Sequence, residues 1–466
     1  MPLSIQATVL QTPEPGRVEL LPRQLITVDD DGMISDVSPV GNEPNGDPSD
    51  GGQDGGSDRV VLPDHHVLLP GMIDSHIHAP QWPQLGTGLD LPLEQWLFDY
   101  TFPLEARCDD LDYATRLWDS MVPSLLGLGT TTAVYYGSTH EPATLALAEA
   151  CVDFGQRAFV GRVAMDHPDG TPEWYRDTDA NTAVSASHRS VEAIRALPGA
   201  AGLVHPIITP RFIPACSDSA LGGLAELAEA TGALVQTHCS ESDWEHNHVI
   251  DRHGCSDAHS LHRFGLIRDH TVLAHATHLS DDDRQLLIER GAGVAHCPLS
   301  NSYFANAVFP ARRSLDAGLR VGLGTDIAGG PEASLLGQCG HAVTSSRMLD
   351  DGVDVMLTEG RGRTGSRIDI STAFYMATVG GANLLGIPAG LLAPGRHFDA
   401  FSVDLTQLLP GGPWAHRDDK RDAAAGDQIN ERNSIQILER IVRTAAIGAI
   451  DQVWVGGRDV TPAARS

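Results

Sequence analysis

From Leu69 onward the chain repeats one pattern: a short run of β-branched or apolar residues, then a stretch with helical periodicity. The runs fall at residues 71–77, 131–136, 158–165, 202–208, 233–237, 271–274, 293–295 and 320–324, and each predicts a strand. Between them lie helix-like segments such as 219–231 and 280–290. The second opens on Ser280 followed by Asp281, Asp282 and Asp283, residue types that cap a helix and suit the positive end of its dipole. Eight strands alternating with helices over roughly 255 residues is the size of a (β/α)8 TIM-like barrel, so the expected fold class is α/β. An open doubly wound sheet is the plainer alternative, and periodicity alone leaves it standing.

The flanks read differently. Residues 5–10, 18–21, 25–28 and 60–62 form short strand-like runs separated by Pro and Gly, and so do 400–404 and 450–455, the last ending on Gly456 and Gly457. The two ends are expected to share a small composite β-sandwich domain, residues 1–69 with 391–466, beside a barrel of 70–390. Residues 41–58 are dominated by Asp, Gly, Pro, Asn and Ser, too poor in apolar side chains to order themselves, and read as an exposed hairpin tip or a disordered loop.

Charge narrows the function. With 61 acidic and 32 basic side chains the net charge is −29, which opposes binding to a phosphate backbone. No nucleic-acid partner is expected. No apolar stretch is long enough to span a bilayer and residues 1–16 lack the basic and apolar regions of a signal peptide, so neither a membrane nor secretion is expected. The 7 cysteines are scattered without a Cys-x-x-Cys pair, which fits a reduced, cytoplasmic setting.

Chemistry concentrates at the ends of the predicted strands. His76 and His78 stand two apart, so in a strand both imidazoles project to one face, as a Zn²⁺ site needs; the bland alternative is an accidental pair on a surface strand. His238, His275 and Asp326 each follow a later run, at the C-terminal strand ends where barrel active sites are built. Read against roughly 31 residues per βα unit, their intervals place the groups on strands 1, 5, 6 and 8. Such nitrogen and oxygen ligands suit a hydrolytic metal site that lowers the pKa of a bound water. His275 is either a ligand or a hydrogen-bond partner of that water. Glu241, three residues after His238, is placed to carry a proton between water and substrate, the alternative being an ordinary solvated loop glutamate. The dense histidines His246, His248, His253, His259, His262, His270 and His278 read as helix-surface or supporting groups, and His296 as a neighbour of the site.

The run Pro70-Gly71-Met72-Ile73-Asp74-Ser75-His76-Ile77-His78, with His238, His275 and Gly324-Thr325-Asp326, resembles the signature of the amidohydrolase superfamily. Narrower stretches are similar to the guanine deaminase family within it: residues 76–107 (HIHAPQWPQLGTGLDLPLEQWLFDYTFPLEAR), Thr209-Pro210-Arg211-Phe212 and residues 322–330 (GLGTDIAGG). The resemblance implies one Zn²⁺ per subunit, with Fe²⁺ the alternative ion, bound by His76, His78, His238 and Asp326. It implies that His275 and Asp326 orient and deprotonate the water, that Glu241 is the proton shuttle, and that Gln81, Arg211 and Phe212 hold a purine. The implied reaction is hydrolytic deamination of free guanine to xanthine and ammonia, in purine catabolism, by a homodimer. Binuclear members of the superfamily bridge two metals through a carbamylated lysine at the end of a middle strand. Here that end reads Ile208-Thr209-Pro210 and the one lysine is Lys420, so a single metal is expected. Two other readings stay open: a related amidohydrolase acting on another aminated heterocycle, such as 8-oxoguanine, a triazine or a pterin, and a non-catalytic scaffold of the same fold.

Overall fold

The computed structural model describes residues 3–40, 58–408, 433–445 and 448–463. Met72–His78, Thr130–Tyr136, Arg157–Gly161, Val204–Pro210, Leu234–Cys239, Val272–His275, Gly293–His296 and Arg320–Leu323 lie side by side in chain order, all parallel. Leu323 pairs with Asp74, so the eighth strand returns to the first. That closure removes both edges and excludes the open doubly wound sheet. Every residue of the first two strands is buried, as in a sheet covered on both faces. The expected run 158–165 is broken at Arg162 into Arg157–Gly161 and Val163–Ala164, and the fourth strand pairs with both pieces.

The helices follow their caps. The segment expected at 219–231 is Asp218–Thr231, capped by Ser217 and ended by Gly232 in the left-handed region. The segment expected at 280–290 is Asp281–Arg290, where Ser280 and Asp283 form a capping box.

The two chain ends build one eight-stranded sheet from Leu3–Glu14, Arg17–Val28, Ile34–Pro39, Asp58–Val61, His66–Pro70, Ala400–Asp404, Ile450–Val455 and Arg458–Asp459. The runs at 18–21 and 25–28 are one strand, not two. Pro22 and Arg23 sit in a bulge, where the register jumps from Ala7 opposite Gln24 to Val9 opposite Leu21 and Arg23 takes φ 47°; a residue without an N–H is tolerated there because it faces no ladder bond. Apart from Asp58, which opens a strand, the segment 41–58 lies outside the described residues.

One face of this sheet, with Leu10, Leu20, Val67, Leu69, Phe401 and Val453, joins the core of the barrel. The opposite face encloses a core of its own, with Ile5, Val9, Ile26, Val28, Leu68, Phe398 and Trp454. The sheet curls over that second core: Ile34 N donates to Arg396 O and Phe398 N to Gly32 O, which ties its far strand to the segment leading into Ala400–Asp404. The C-terminal part is not all β. The helix Ser434–Thr444 buries Ile437, Leu438 and Ile441 in the barrel core and packs on the helix Leu335–Asp351. Among the described residues no helix is long and apolar enough to cross a membrane.

Candidate active site

The C-terminal ends of the strands bring the expected residues to one point. His76 Nε2 lies 3.2 Å and His78 Nε2 3.6 Å from Asp326 Oδ1, and His78 Nε2 faces His238 Nε2 at 2.9 Å. The His275 ring stands 5.3 Å from that of His76 and 5.5 Å from that of His238. Asp326 is placed by a seam between the first and eighth strands: its N donates to His76 O at 2.9 Å, and His78 N donates to Ile327 O at 2.9 Å. Asp74 closes the seam from below by accepting from Thr325 N at 3.0 Å and Thr325 Oγ1 at 2.6 Å.

Burial drives the imidazoles of His76, His78 and His238 well below the usual histidine pKa and lowers that of His275. All four are therefore neutral at pH 7, the form that ligates metals. Two of them are also tethered at Nδ1, His238 to Arg211 O at 2.6 Å and His275 to Asn301 Oδ1 at 2.9 Å, so each turns Nε2 inward. Inside, the Nε2 atoms of His76 and His275 are buried without a hydrogen-bond partner, and those of His78 and His238 confront one another. A buried polar atom left this way costs about 1–3 kcal/mol. A cation at the common point removes that cost, and three overlapping groups with ligand atoms within 4.8 Å surround it: His76, His78 and His238; His76, His275 and Asp326; His238, Glu241 and His275. The donor set fits a divalent metal.

Glu241 leaves the fifth strand at its C-terminal end. Its carboxylate is buried 3.7 Å from His275 Nε2, and its backbone N donates to Glu245 Oε2 at 2.7 Å. Burial, with Asp326 adding to it, holds the Glu241 carboxyl well above the usual range. Ser240, His275, Ala276 and Asp326 all take left-handed backbone angles, with φ between 51° and 69°. Such angles are costly for residues with a side chain and collect where a site fixes its geometry.

Beside this centre lies a cavity lined by His78, Gln81, Leu93, Trp96, Leu97, Arg211, Phe212, His238, Glu241 and Asp326. Gln81 and Arg211 therefore stand in the same space as His78, His238 and Asp326, and the Phe212 ring lies 6.1 Å from that of His238.

His296 is buried next to this assembly with its ring 5.3 Å from Phe309, and burial lowers its pKa to about 3. The dense histidines pair with neighbours instead of converging: His246 with Asp257, His253 with Asp218, His259 with Asp283 and His278 with Asp243. The fourth strand ends on Thr209-Pro210, and Lys420 lies outside the described residues. Four buried groups at the site went unassigned in the sequence: Asp74, Glu105, Glu245 and Asn301. Asp74 and Glu105 fall inside the family-like runs. Glu245 reads as the last member of a Ser-x-x-Glu cap, and Ser242 does cap that helix, but the Glu245 carboxylate turns to Glu241 N. Asn301 carries no local signal.

Comparison with known proteins agrees with this architecture. The model of the Amidohydrolase family matches residues 67–460. A probable guanine deaminase of Schizosaccharomyces pombe is 37% identical over 401 residues, covering 84% of this chain and 71% of its own. The guanine deaminase of Dictyostelium discoideum is 34% identical over 412 residues, covering 86% of this chain and 88% of its own. A crystal structure of guanine deaminase from C. acetobutylicum, with guanine bound in the active site, superposes with TM-score 0.83 at 26% identity over 98% of this chain and 100% of that one. Matches that run through the strand-end ligands and most of the barrel leave one conclusion: the chain belongs to the amidohydrolase family.

Proposed function

We propose that this chain deaminates free guanine hydrolytically, giving xanthine and ammonia as a step of purine catabolism. The observation that carries the reading is the shared cavity, in which Gln81, Arg211 and Phe212 face the metal-ligating cluster and Glu241. Relatives named guanine deaminase, matched over most of their length, support it. His76, His78, His238 and Asp326 hold one zinc ion per chain, with iron(II) the alternative. When bound, the ion supplies an acidified water at cellular pH.

The protein's own groups do the rest. His275 donates its Nδ1–H to Asn301 Oδ1, so its Nε2 accepts, and together with Asp326 it orients the attacking water. The water oxygen adds to the ring carbon that bears the exocyclic amine. One water proton passes through Glu241 to the adjacent ring nitrogen, and burial suits Glu241 to the task because its neutral form persists. The second proton reaches the amine, the C–N bond breaks, ammonia leaves and the carbon becomes a carbonyl. Arg211 donates to the purine carbonyl oxygen, Gln81 offers a donor and an acceptor to the ring edge, and Phe212 walls the base.

Residues 70–390 form the catalytic domain and 1–69 with 391–466 the companion domain, a division supported by the separate apolar core of the terminal sheet. The chain works as a cytoplasmic homodimer; seven free cysteines support the compartment. Ammonia release from guanine, measured with and without a chelator, tests the function. Turnover is expected to stop on chelation and return with added zinc, and guanine is expected to outrun adenine, 8-oxoguanine and ammeline. Metal-replete protein that releases no ammonia from guanine overturns it.

A further inference from the structure

Gln81 and Arg211 are not independent. Both are tied to Glu105, a carboxylate 1% exposed at the end of the short helix Phe102–Glu105. Glu105 Oε1 accepts from Gln81 Nε2 at 2.7 Å and from Arg211 Nη2 at 3.0 Å, and Oε2 accepts from Arg211 Nη1 at 2.6 Å. The other end of Gln81 is committed as well, because Oε1 accepts from Ala328 N at 3.1 Å. An amide claimed at both ends cannot turn over, so its remaining N–H and its remaining lone pair keep fixed places. The Arg211 guanidinium also lies over the Phe102 ring, 4.9 Å from its centroid, while its backbone is held by Ala164 O and by the His238 imidazole.

Charge points the same way. The buried Arg211 guanidinium is paired with the equally buried Glu105 carboxylate through both of its terminal nitrogens. Its charge is balanced inside the protein. What faces the cavity is a set of N–H donors that needs no anion, which suits a neutral ligand with carbonyl acceptors.

We propose that Glu105 is a specificity-determining positioning residue. It locks Gln81 and Arg211 into one donor array that admits a neutral heterocycle with a ring carbonyl and refuses the counterpart carrying an amino group at that place. The assignment rests on the guanine reading above and says which part of the protein makes the choice. An amino group there sets N–H against N–H and leaves the buried donors unpaired. Sites built on such hydrogen bonds reject the wrong partner by up to about 10⁴–10⁵-fold. Without the Glu105 charge, Gln81 is free to turn and Arg211 loses its balancing anion.

The test compares KM for guanine with the inhibition constant of 2,6-diaminopurine, which carries an amino group in place of the guanine carbonyl, in wild type and Glu105→Gln at equal zinc content. The variant is expected to raise KM for guanine by at least about tenfold, with a smaller change in kcat, while the diaminopurine constant stays within about threefold, so the preference shrinks. A residue that only supports the fold moves both constants together. An unchanged ratio, whether both constants hold or both rise in step, overturns the assignment. If Glu105→Gln does not fold, the same ratio in Glu105→Asp, which keeps the charge but shortens the reach, decides in its place. Wild-type turnover of guanine separates the two claims: where it is intact, an unchanged ratio removes Glu105 alone, and where it is missing, the guanine reading falls first.

Discussion

Two buried arginines, one at each end of the barrel, show how a single interaction serves two purposes. At the base, Arg157 Nε and Nη2 grip Asp399 at 2.8 and 3.1 Å, and Nη1 donates to Gly202 O at 2.7 Å. Asp399 also accepts from Gly456 N at 2.7 Å, and its carbonyl takes Gly71 N at 2.8 Å. The pair itself joins the terminal sheet to the barrel, and the remaining side-chain contacts hold each partner in its own part. At the mouth, the Arg211–Glu105 fork borders a cavity, among imidazole nitrogens without partners and left-handed backbone. A buried ion pair adds little net stability on its own. Its use depends on what lies beside it: satisfied neighbours make it a staple, and an open space makes it a reader of ligands.

Variants that separate stability from chemistry test this contrast. The largest effect is expected at the mouth: Glu241→Gln should lower kcat by about 10²–10⁴-fold while zinc content and melting temperature hold. Near-full turnover with zinc retained would remove Glu241 from proton transfer. At the base, Asp399→Ala should cost about 3–5 kcal/mol in urea unfolding, because it strands the buried Arg157 charge, yet leave kcat/KM of the folded fraction unchanged; a loss confined to kcat/KM would erase the distinction. The same residue gives a pH signature. Burial pushes the Asp399 carboxyl up, Arg157 pulls harder the other way, and the folded value falls below the ordinary 3.8. Its stabilisation is therefore full above pH 4 and fades as pH drops through the folded value, so acid unfolding of Asp399→Ala should be less steep in that window. Smaller again, Asn301→Ala should cost about 10–100-fold in activity or zinc affinity by freeing the His275 ring. The smallest effect belongs to a position in neither region: Ser280→Ala should lose about 1 kcal/mol through its helix cap, with activity intact.

How far each feature can be read from the sequence follows the range of its cause. The barrel strands are visible because each is a run of apolar residues covered on both faces, and the histidines and Asp326 of the site are visible because a His or Asp interrupts the pattern at the end of such a run. The Ser280 cap is visible because all its partners lie within three residues. Glu105 is not, since its partners sit 24 and 106 positions away and nothing in Leu104-Glu105-Ala106 marks a carboxylate that will be buried. Asn301 and Asp399 are hidden for the same reason. The strand Arg17–Val28 misleads in the other direction: Pro22 is a local stop signal that a bulge absorbs, which only the paired strand reveals.

The seam that joins the eighth strand to the first has a consequence for how the protein matures. Asp326 arrives just after the last barrel strand to be synthesised, and it is fixed when Thr325 finds Asp74, 251 positions earlier in the chain. A nascent chain carries its histidines long before it carries the carboxylate that completes their set. Competence is thus gained in one late event, ring closure, and a product truncated before residue 320 keeps the strands that carry His76, His78, His238 and His275 yet has no way to finish the centre.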